Sequence, residues 1–231
     1  MRGVDWLLCE GTTLGSSGGS HGLHCEADVE EKLLALARAE PEKLIAVAAS
    51  GQNLDRLVSC FRAARRAGRQ LVVDAYQAYV LRQLGPLSPS IPQVDWDGVR
   101  VKFAHHQVER LKEAGLMVLA REMSGQAYVG TRELVTHSGR FLMSIRGSAG
   151  VTKLFDQVGL DRLVLVWSMW GGYWERNERL RSWAARSGVE PHFIHSGGHA
   201  WPDDLDRLVA AFRPKNPVVW VHTDANVGDA K

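Results

Sequence analysis

The sequence predicts an α/β fold built on an open, mostly parallel sheet. Two observations carry this. Short apolar runs alternate with helical stretches along the chain, at the spacing of βαβ units. Many of these runs end in a small polar or glycine-bearing turn before the next helix begins, the way a parallel strand hands over to its crossover helix. A length of 231 residues suffices for one large domain or two small ones and for a substantial core.

In chain order, the apolar run 4–9 is expected as a buried strand, ending in Glu10-Gly11-Thr12-Thr13-Leu14-Gly15. Glu10 is there either a solvated strand-end charge or an acid that orients a neighbouring histidine or metal ligand. Residues 16–22 read as a Ser/Gly loop carrying His21, with His24 just beyond. This HxxH pair is either an exposed loop pair or a weak metal signal. Asp28 is expected to cap a helix to about residue 39, with Val29, Leu33, Leu34, Leu36 and Ala37 on or near its apolar face. Residues 44–49 predict a short buried strand and Ser50-Gly51-Gln52-Asn53 a tight turn. A helix follows over 54–67, with the stripe Leu54, Leu57, Val58 and Phe61, and Gly68 stops it. The turn is either an ordinary βα connection or an anion site, because unpaired N–H groups at a helix start favour phosphate. Neither GxGxxG nor GxxxxGKS/T is present, so no standard nucleotide loop is expected.

The strand 71–74 leads to a helix over 75–84 and then to the proline-rich connection 85–92. A strand is expected over 99–103 and a helix over 105–114, with His105-His106 as a polar helix start rather than a ligand pair. Residues 116–120 read as a short strand or a helix end, 132–137 as a helix and 141–145 as a strand. Arg146-Gly147-Ser148 follow at a strand end. They either hold a phosphate through guanidinium and hydroxyl or lie on the surface. The strand 163–167 opens into a loop over 168–173, and Trp167, Trp170 and Trp174 cluster near that strand end, either as packing residues or as the lining of a cleft. The helix 177–186 precedes Gly188, and the last units are strand 191–195, helix 202–212 and strand 218–222. Pro202 suits the first helical turn, and Asp203-Asp204 suit its positive end.

The net charge of +2 does not call for a nucleic-acid partner, though it leaves room for a local basic groove. Three cysteines, Cys9, Cys25 and Cys60, lack CxxC spacing, which argues against a disulfide scaffold or zinc knuckle and suits a reducing cytoplasm. No apolar run is long enough to span a bilayer, and residues 1–15 lack a signal-peptide pattern, so a cytoplasmic protein away from membranes is expected.

The chemistry-bearing residues gather late in the chain. His192, His195, His199 and His222, with Glu10 and Asp224, form a pool for metal or acid–base work. On a strand, His192 and His195 point to opposite faces and do not share a metal. His199 sits in the Ser196-Gly197-Gly198 turn and can point into a crevice. A hydrolytic zinc or manganese centre needs at least three ligands and an open position. HxH, HExxH and HxHxDH are all absent.

Four segments fall in an informative order: Leu8-Cys9-Glu10-Gly11-Thr12-Thr13, Ser50-Gly51-Gln52-Asn53-Leu54-Asp55-Arg56, Ser196-Gly197-Gly198-His199-Ala200 and Val221-His222-Thr223. Together, over about residues 3–226, they resemble the β-CASP branch of the metallo-β-lactamase-fold hydrolases, the branch that includes ribonuclease J. The resemblance implies a Rossmann-like β-CASP domain over 26–190, flanked by partial metallo-β-lactamase-fold segments at 1–25 and 191–231. It implies a two-metal zinc or manganese site with His222 as a ligand. It further implies that His199 binds the scissile phosphate or protonates the leaving group, and that Glu10 orients His199. Ser50, Asn53, Arg56, Arg146 and Ser148 would then lie near the substrate.

The sequence departs from the family in the doubled glycine before His199 and at Asp224. The family's HxHxDH region and its further ligands lie upstream of the acid motif, and this sequence begins after them. The resemblance therefore implies an incomplete metal site in the C-terminal portion of a phosphodiesterase acting on RNA. Such a chain is a truncation, a split half or a degenerate relative, inactive alone, and it works as an oligomer with a missing N-terminal half or a homologous subunit. Two alternatives stay open: a non-catalytic α/β module that binds RNA, a nucleotide or a protein, and an unrelated α/β domain with structural histidines. A half-enzyme is expected to leave residues 4–9 and 218–222 with an uncovered apolar face; a stand-alone module is not.

Overall fold

A computed structural model describes residues 3–14, 23–147 and 149–223. In chain order the elements begin with β1 (Leu8–Glu10), α1 (Glu26–Ala39), β2 (Leu44–Ala48), α2 (Leu54–Arg66), β3 (Gln70–Asp74) and α3 (Ala75–Leu84). They continue with β4 (Val99–Lys102), α4 (His105–Glu113), α5 (Met117–Ser124), α6 (Thr131–Thr136), β5 (Phe141–Ile145) and α7 (Thr152–Val158). The last are β6 (Leu163–Trp167), α8 (Gly171–Arg176), α9 (Glu178–Ser187), β7 (His192–Phe193), α10 (Pro202–Phe212) and β8 (Val219–Val221). They fall into two compact units. Glu26–His195 is one, and Met1–Cys25 together with Ser196–Lys231 is the other.

The Glu26–His195 unit is a Rossmann-like α/β layer structure. Among the described residues its sheet has the order β4-β3-β5-β2-β6-β7. Every neighbouring pair is parallel. The central strands read LIAVA, FLMSI and LVLVW, and every residue in them is buried. Unbroken burial is what a parallel strand covered on both faces requires. Alternation divides the two faces. Leu44, Ala46, Phe141, Met143, Ile145, Leu165 and Trp167 join Phe155, Leu180 and Trp183 in one core. Ile45, Val47, Leu142, Val164 and Val166 are equally buried on the opposite side, the side where α2 packs against β3 and β5. Each large apolar side chain so buried contributes about 1.5–3 kcal/mol.

Arg69 ties the amino-terminal edge of this sheet. Its guanidinium donates to the carbonyls of Lys43 (2.6 Å), Phe141 (3.2 Å), Ala37 (2.8 Å) and Glu40 (2.5 Å). It thereby joins the end of α1 to the starts of β2 and β5. Gly139 packs nearby, and a Cβ there would lie 2.2 Å from the Pro41 carbonyl oxygen, so only glycine allows this approach.

Several expectations need correction. The run 4–9 pairs only over Leu8–Glu10, and it is not buried, since Leu8 is 67% exposed. Its apolar pattern is that of a covered strand, but one neighbour strand does not cover a sheet face. Residues 117–120 open helix α5, with Leu116 as its N-cap, rather than forming a strand or a helix end. The expected loop 168–173 already enters α8 at Gly171. The strand expected over 191–195 pairs only at His192–Phe193, because β7 is the sheet's outer strand and ladders on one side alone. Helix α7 has no counterpart among the expected elements, although its apolar positions Leu154, Phe155 and Val158 follow the 3.6-residue period.

The unit formed by the chain ends holds a two-stranded parallel sheet, β1 with β8, and helix α10. In the register Leu8↔Val219 and Glu10↔Val221, these four residues share one face. Val219 is 39% and Val221 40% exposed.

Candidate functional site

In the unit formed by the chain ends, the parallel register brings the carboxyl ends of β1 and β8 side by side. Glu10 closes β1 and His222 directly follows β8. The Gly11 N–H donates to the Val221 carbonyl at 2.7 Å, which holds the two ends together. His222 has φ of 56°, a left-handed conformation that non-glycine residues seldom adopt. Its side chain is exposed.

His199 lies in the glycine turn that feeds α10. Its Nδ1 is 2.9 Å from Glu10 Oε2. The next residue, Ala200, donates its backbone N–H to Glu10 Oε1 at 2.8 Å. Thr13 Oγ1 donates to the Ala200 carbonyl at 2.7 Å. Three hydrogen bonds thus bind the β1 end to the turn. Burial by itself would raise the Glu10 carboxyl. The donors Ala200, Thr12 and His199, with the charge His199 carries when protonated, outweigh it and hold Glu10 below the ordinary carboxylate range. An ionised carboxylate only accepts, so Nδ1 of His199 carries the proton and Nε2 faces away from Glu10. The His199 side chain is half exposed. His24 stacks on Trp201, with centroids 4.9 Å apart and planes at 9°, so it is engaged with an aromatic ring. His21 and Asp224 lie outside the described residues.

In the Glu26–His195 unit, Ser50 and Arg146 follow the carboxyl ends of β2 and β5, and Asn53 and Arg56 lie at the start of α2; strand ends are where α/β sheets bind ligands. The structure distributes them differently from the expectation. Ser50 is exposed, and its Oγ accepts from the Gln52 N–H at 3.3 Å. Asn53 caps α2, its Oδ1 accepting from the Arg56 N–H at 3.0 Å. Arg56 corrects the reading. It has no exposed surface. Its guanidinium grips the Glu26 carboxylate with two bonds, at 2.9 and 2.7 Å, and donates to the Ser168 carbonyl at 2.6 Å. A guanidinium at this position in α2 faces the interior, so Arg56 joins α1, α2 and the end of β6 rather than meeting substrate. Ser148 lies outside the described residues.

Arg146 remains at the surface. Its Nε donates to Asp74 Oδ2 at 2.7 Å, and its guanidinium lies 5.1 Å from the centre of the Tyr76 ring. Asp74 also accepts from Gln107 Nε2 at 3.2 Å, and its other oxygen caps α3 through the Gln77 N–H at 2.8 Å. The Tyr76 hydroxyl accepts from Gln52 Nε2 at 2.9 Å. Residue reasoning missed Asp74, Tyr76 and Gln107. The Asp74-x-x-Gln77 pattern before a helix was a readable capping signal; the Arg146 partnership was not, since it joins two distant strand ends.

Among the described residues, no group of three or more His, Cys, Asp and Glu side chains is placed to hold a metal ion. Burial pushes the Cys60 thiol up to about 12.

No protein-family model matches the chain, and no curated protein matches it. Solved structures do. A crystal structure of a protein of unknown function from Enterococcus faecalis V583 aligns with a TM-score of 0.69 over 96% of this chain at 17% identity. Identity at that level establishes the likeness of fold alone. The chain spans about half the length of that structure, 47%.

Proposed function

We propose that this chain supplies the proton-handling corner of a metal-dependent phosphodiesterase acting on RNA. The observation that carries the reading is the Glu10–His199–Ala200 arrangement. A carboxylate held ionised fixes the tautomer and the direction of a half-exposed imidazole at the end of paired parallel strands. In the protonated state, His199 donates from Nε2 to a phosphate oxygen or to the departing 3′ oxygen, and Glu10 stabilises the imidazolium. The left-handed backbone at His222, one residue past the Val221 that faces Glu10 in register, is consistent with a functional strand end. Metal ligands would come from residues outside those described, in this polypeptide or in a partner subunit. The uncovered Leu8, Val219 and Val221 face supports this, because a parallel sheet is normally covered on both sides.

The test is the nuclear magnetic resonance titration of His199 with a short RNA dinucleotide. The reading expects an Nε2 shift in the wild type that is lost in Glu10→Gln; an unmoved imidazole would overturn it. Alongside, the purified chain should bind less than one equivalent of zinc or manganese and should not cleave single-stranded RNA. Robust turnover abolished by His222→Ala would show that the chain carries a complete site. A second reading is a non-catalytic α/β module for RNA, a nucleotide or a protein. Under that reading RNA binds while the His199 resonance stays in place.

A further inference from the structure

The carboxyl end of β6 opens into Ser168-Met169-Trp170-Gly171-Gly172-Tyr173, and this stretch turns two large aromatic rings to solvent. Trp170 is 53% and Tyr173 55% exposed. Their rings meet edge to face, with centroids 5.5 Å apart and planes at 89°. The Arg176 guanidinium stands 5.9 Å from the centre of the Trp170 ring.

Trp170 is held in place although it is exposed. A Cβ on Gly172 would fall 2.2 Å from two carbons of the indole, so the ring lies directly on the glycine backbone, and a larger residue there would displace it. The Trp167 Nε1–H donates to the Trp170 carbonyl at 3.3 Å, which anchors the chain beneath the ring. Asn177, at the α8–α9 junction, caps α9 through the Leu180 N–H and donates to the Gly147 carbonyl at 2.9 Å. That bond ties the aromatic stretch to the β5 end that carries Arg146. Exposing two ordered aromatic rings contributes little to folding, since their apolar area stays in water.

The charge around the rings says what they face. Glu175 is taken by Arg181. Arg176 and Arg179 are exposed and form no ion pair among the described residues. A flat ligand that carries negative charge fits this pairing of ring and guanidinium. The position, at the carboxyl end of a parallel strand, is where α/β sheets bind ligands.

We infer that Trp170, Tyr173 and Arg176 form a stacking site for a nucleobase of single-stranded RNA. Trp170 supplies the platform, Tyr173 buttresses its edge, and Arg176 meets the adjoining phosphate. The inference deepens the proposed function by naming where the strand is gripped, and it rests on that reading for the choice of RNA. Aromatic–base stacking tolerates any base, so the site predicts little sequence preference.

The experiment is fluorescence anisotropy with a labelled oligoadenylate of about twelve nucleotides, within the range one such groove accommodates. An abasic strand of equal length and charge is run beside it. Trp170→Ala is expected to weaken oligoadenylate binding on the order of tenfold or more, while Trp170→Phe keeps most of the affinity. Gly172→Val, which displaces the ring without removing it, should weaken binding in the same direction. The abasic strand should bind weakly and equally to wild type and Trp170→Ala. Circular dichroism and unfolding midpoints confirm that the variants fold, and Trp170→Phe covers the case in which the alanine variant does not. Equal affinity of wild type and Trp170→Ala for RNA would overturn the stacking site yet leave the RNA reading intact. Equal affinity for abasic and base-bearing strands would reduce the site to charge alone, which also overturns it. If neither strand binds the wild type, the platform falls, and the His199 titration then decides the RNA reading separately.

Discussion

Glu10 and Arg56 are both charged residues that the motifs mark as functional, and their surroundings give them different roles. At Glu10, burial opposes ionisation, and the donors from Ala200, Thr12 and His199 overcome it. Its folded value therefore lies below the ordinary 4.5 that the unfolded chain retains. Stability drawn from this difference is fully present above the unfolded value and is lost as pH falls through the folded one. The difference in unfolding midpoint between wild type and Glu10→Gln should shrink as pH falls below about 5. A difference that is the same at pH 7 and pH 3 would contradict the assignment. Arg56 instead belongs to the interior. Arg56→Met should cost about 3 kcal/mol in urea unfolding, because it leaves Glu26 without its bidentate partner. It should leave RNA affinity unchanged in the variant that remains folded; a selective loss of affinity would restore Arg56 to the substrate side.

At the scale of elements, the parallel sheet depends on ties that strand pairing alone does not supply. Arg69 gathers four carbonyls from α1, the β2 start and β5, and burial lowers its pKa without removing its charge. Arg69→Met keeps the volume but leaves those acceptors unpaired. It should destabilise by about 3 kcal/mol, read from denaturant midpoints at constant slope. Asn177 has two duties, the cap of α9 and the bond to the Gly147 carbonyl. Asn177→Ala should cost about 1 kcal/mol and raise amide exchange at Gly147; unchanged exchange there would mean that the tie does not restrain the loop. The central elements are legible in the amino-acid order alone. The runs Leu44–Ala48, Phe141–Ile145 and Leu163–Trp167 are apolar almost throughout, and the main helices keep a 3.6-residue stripe. Periodicity is a poor guide at 4–9 and 191–195, because a strand's length depends on which neighbours reach it.

At the scale of the whole molecule, two units carry different chemistry. The Glu26–His195 unit is a covered, fully parallel sheet with polar and aromatic side chains at its strand ends. The unit formed by the chain ends presents the Glu10–His199 pair and a sheet face whose apolar side chains are in water. Replacing Leu8 and Val221 with asparagine should change the stability of the isolated chain by no more than about 0.5 kcal/mol per site, because neither is buried. A loss of several kcal/mol would show that this face is covered in solution, by a second copy or by another segment.

By itself the sequence determined the alternation of strands and helices, the parallel layer structure and the order of the acid and histidine turns, since these follow from local period and spacing. Tertiary structure decided which polar residues remain available. Glu10 meets His199 across a separation of 189 residues, and no local pattern encodes that distance. Arg56 and Arg146 both follow strand ends, yet one is enclosed by Glu26 and Ser168 and the other stays at the surface beside Tyr76. Burial is a property of what packs around a residue, and only the folded chain supplies those neighbours.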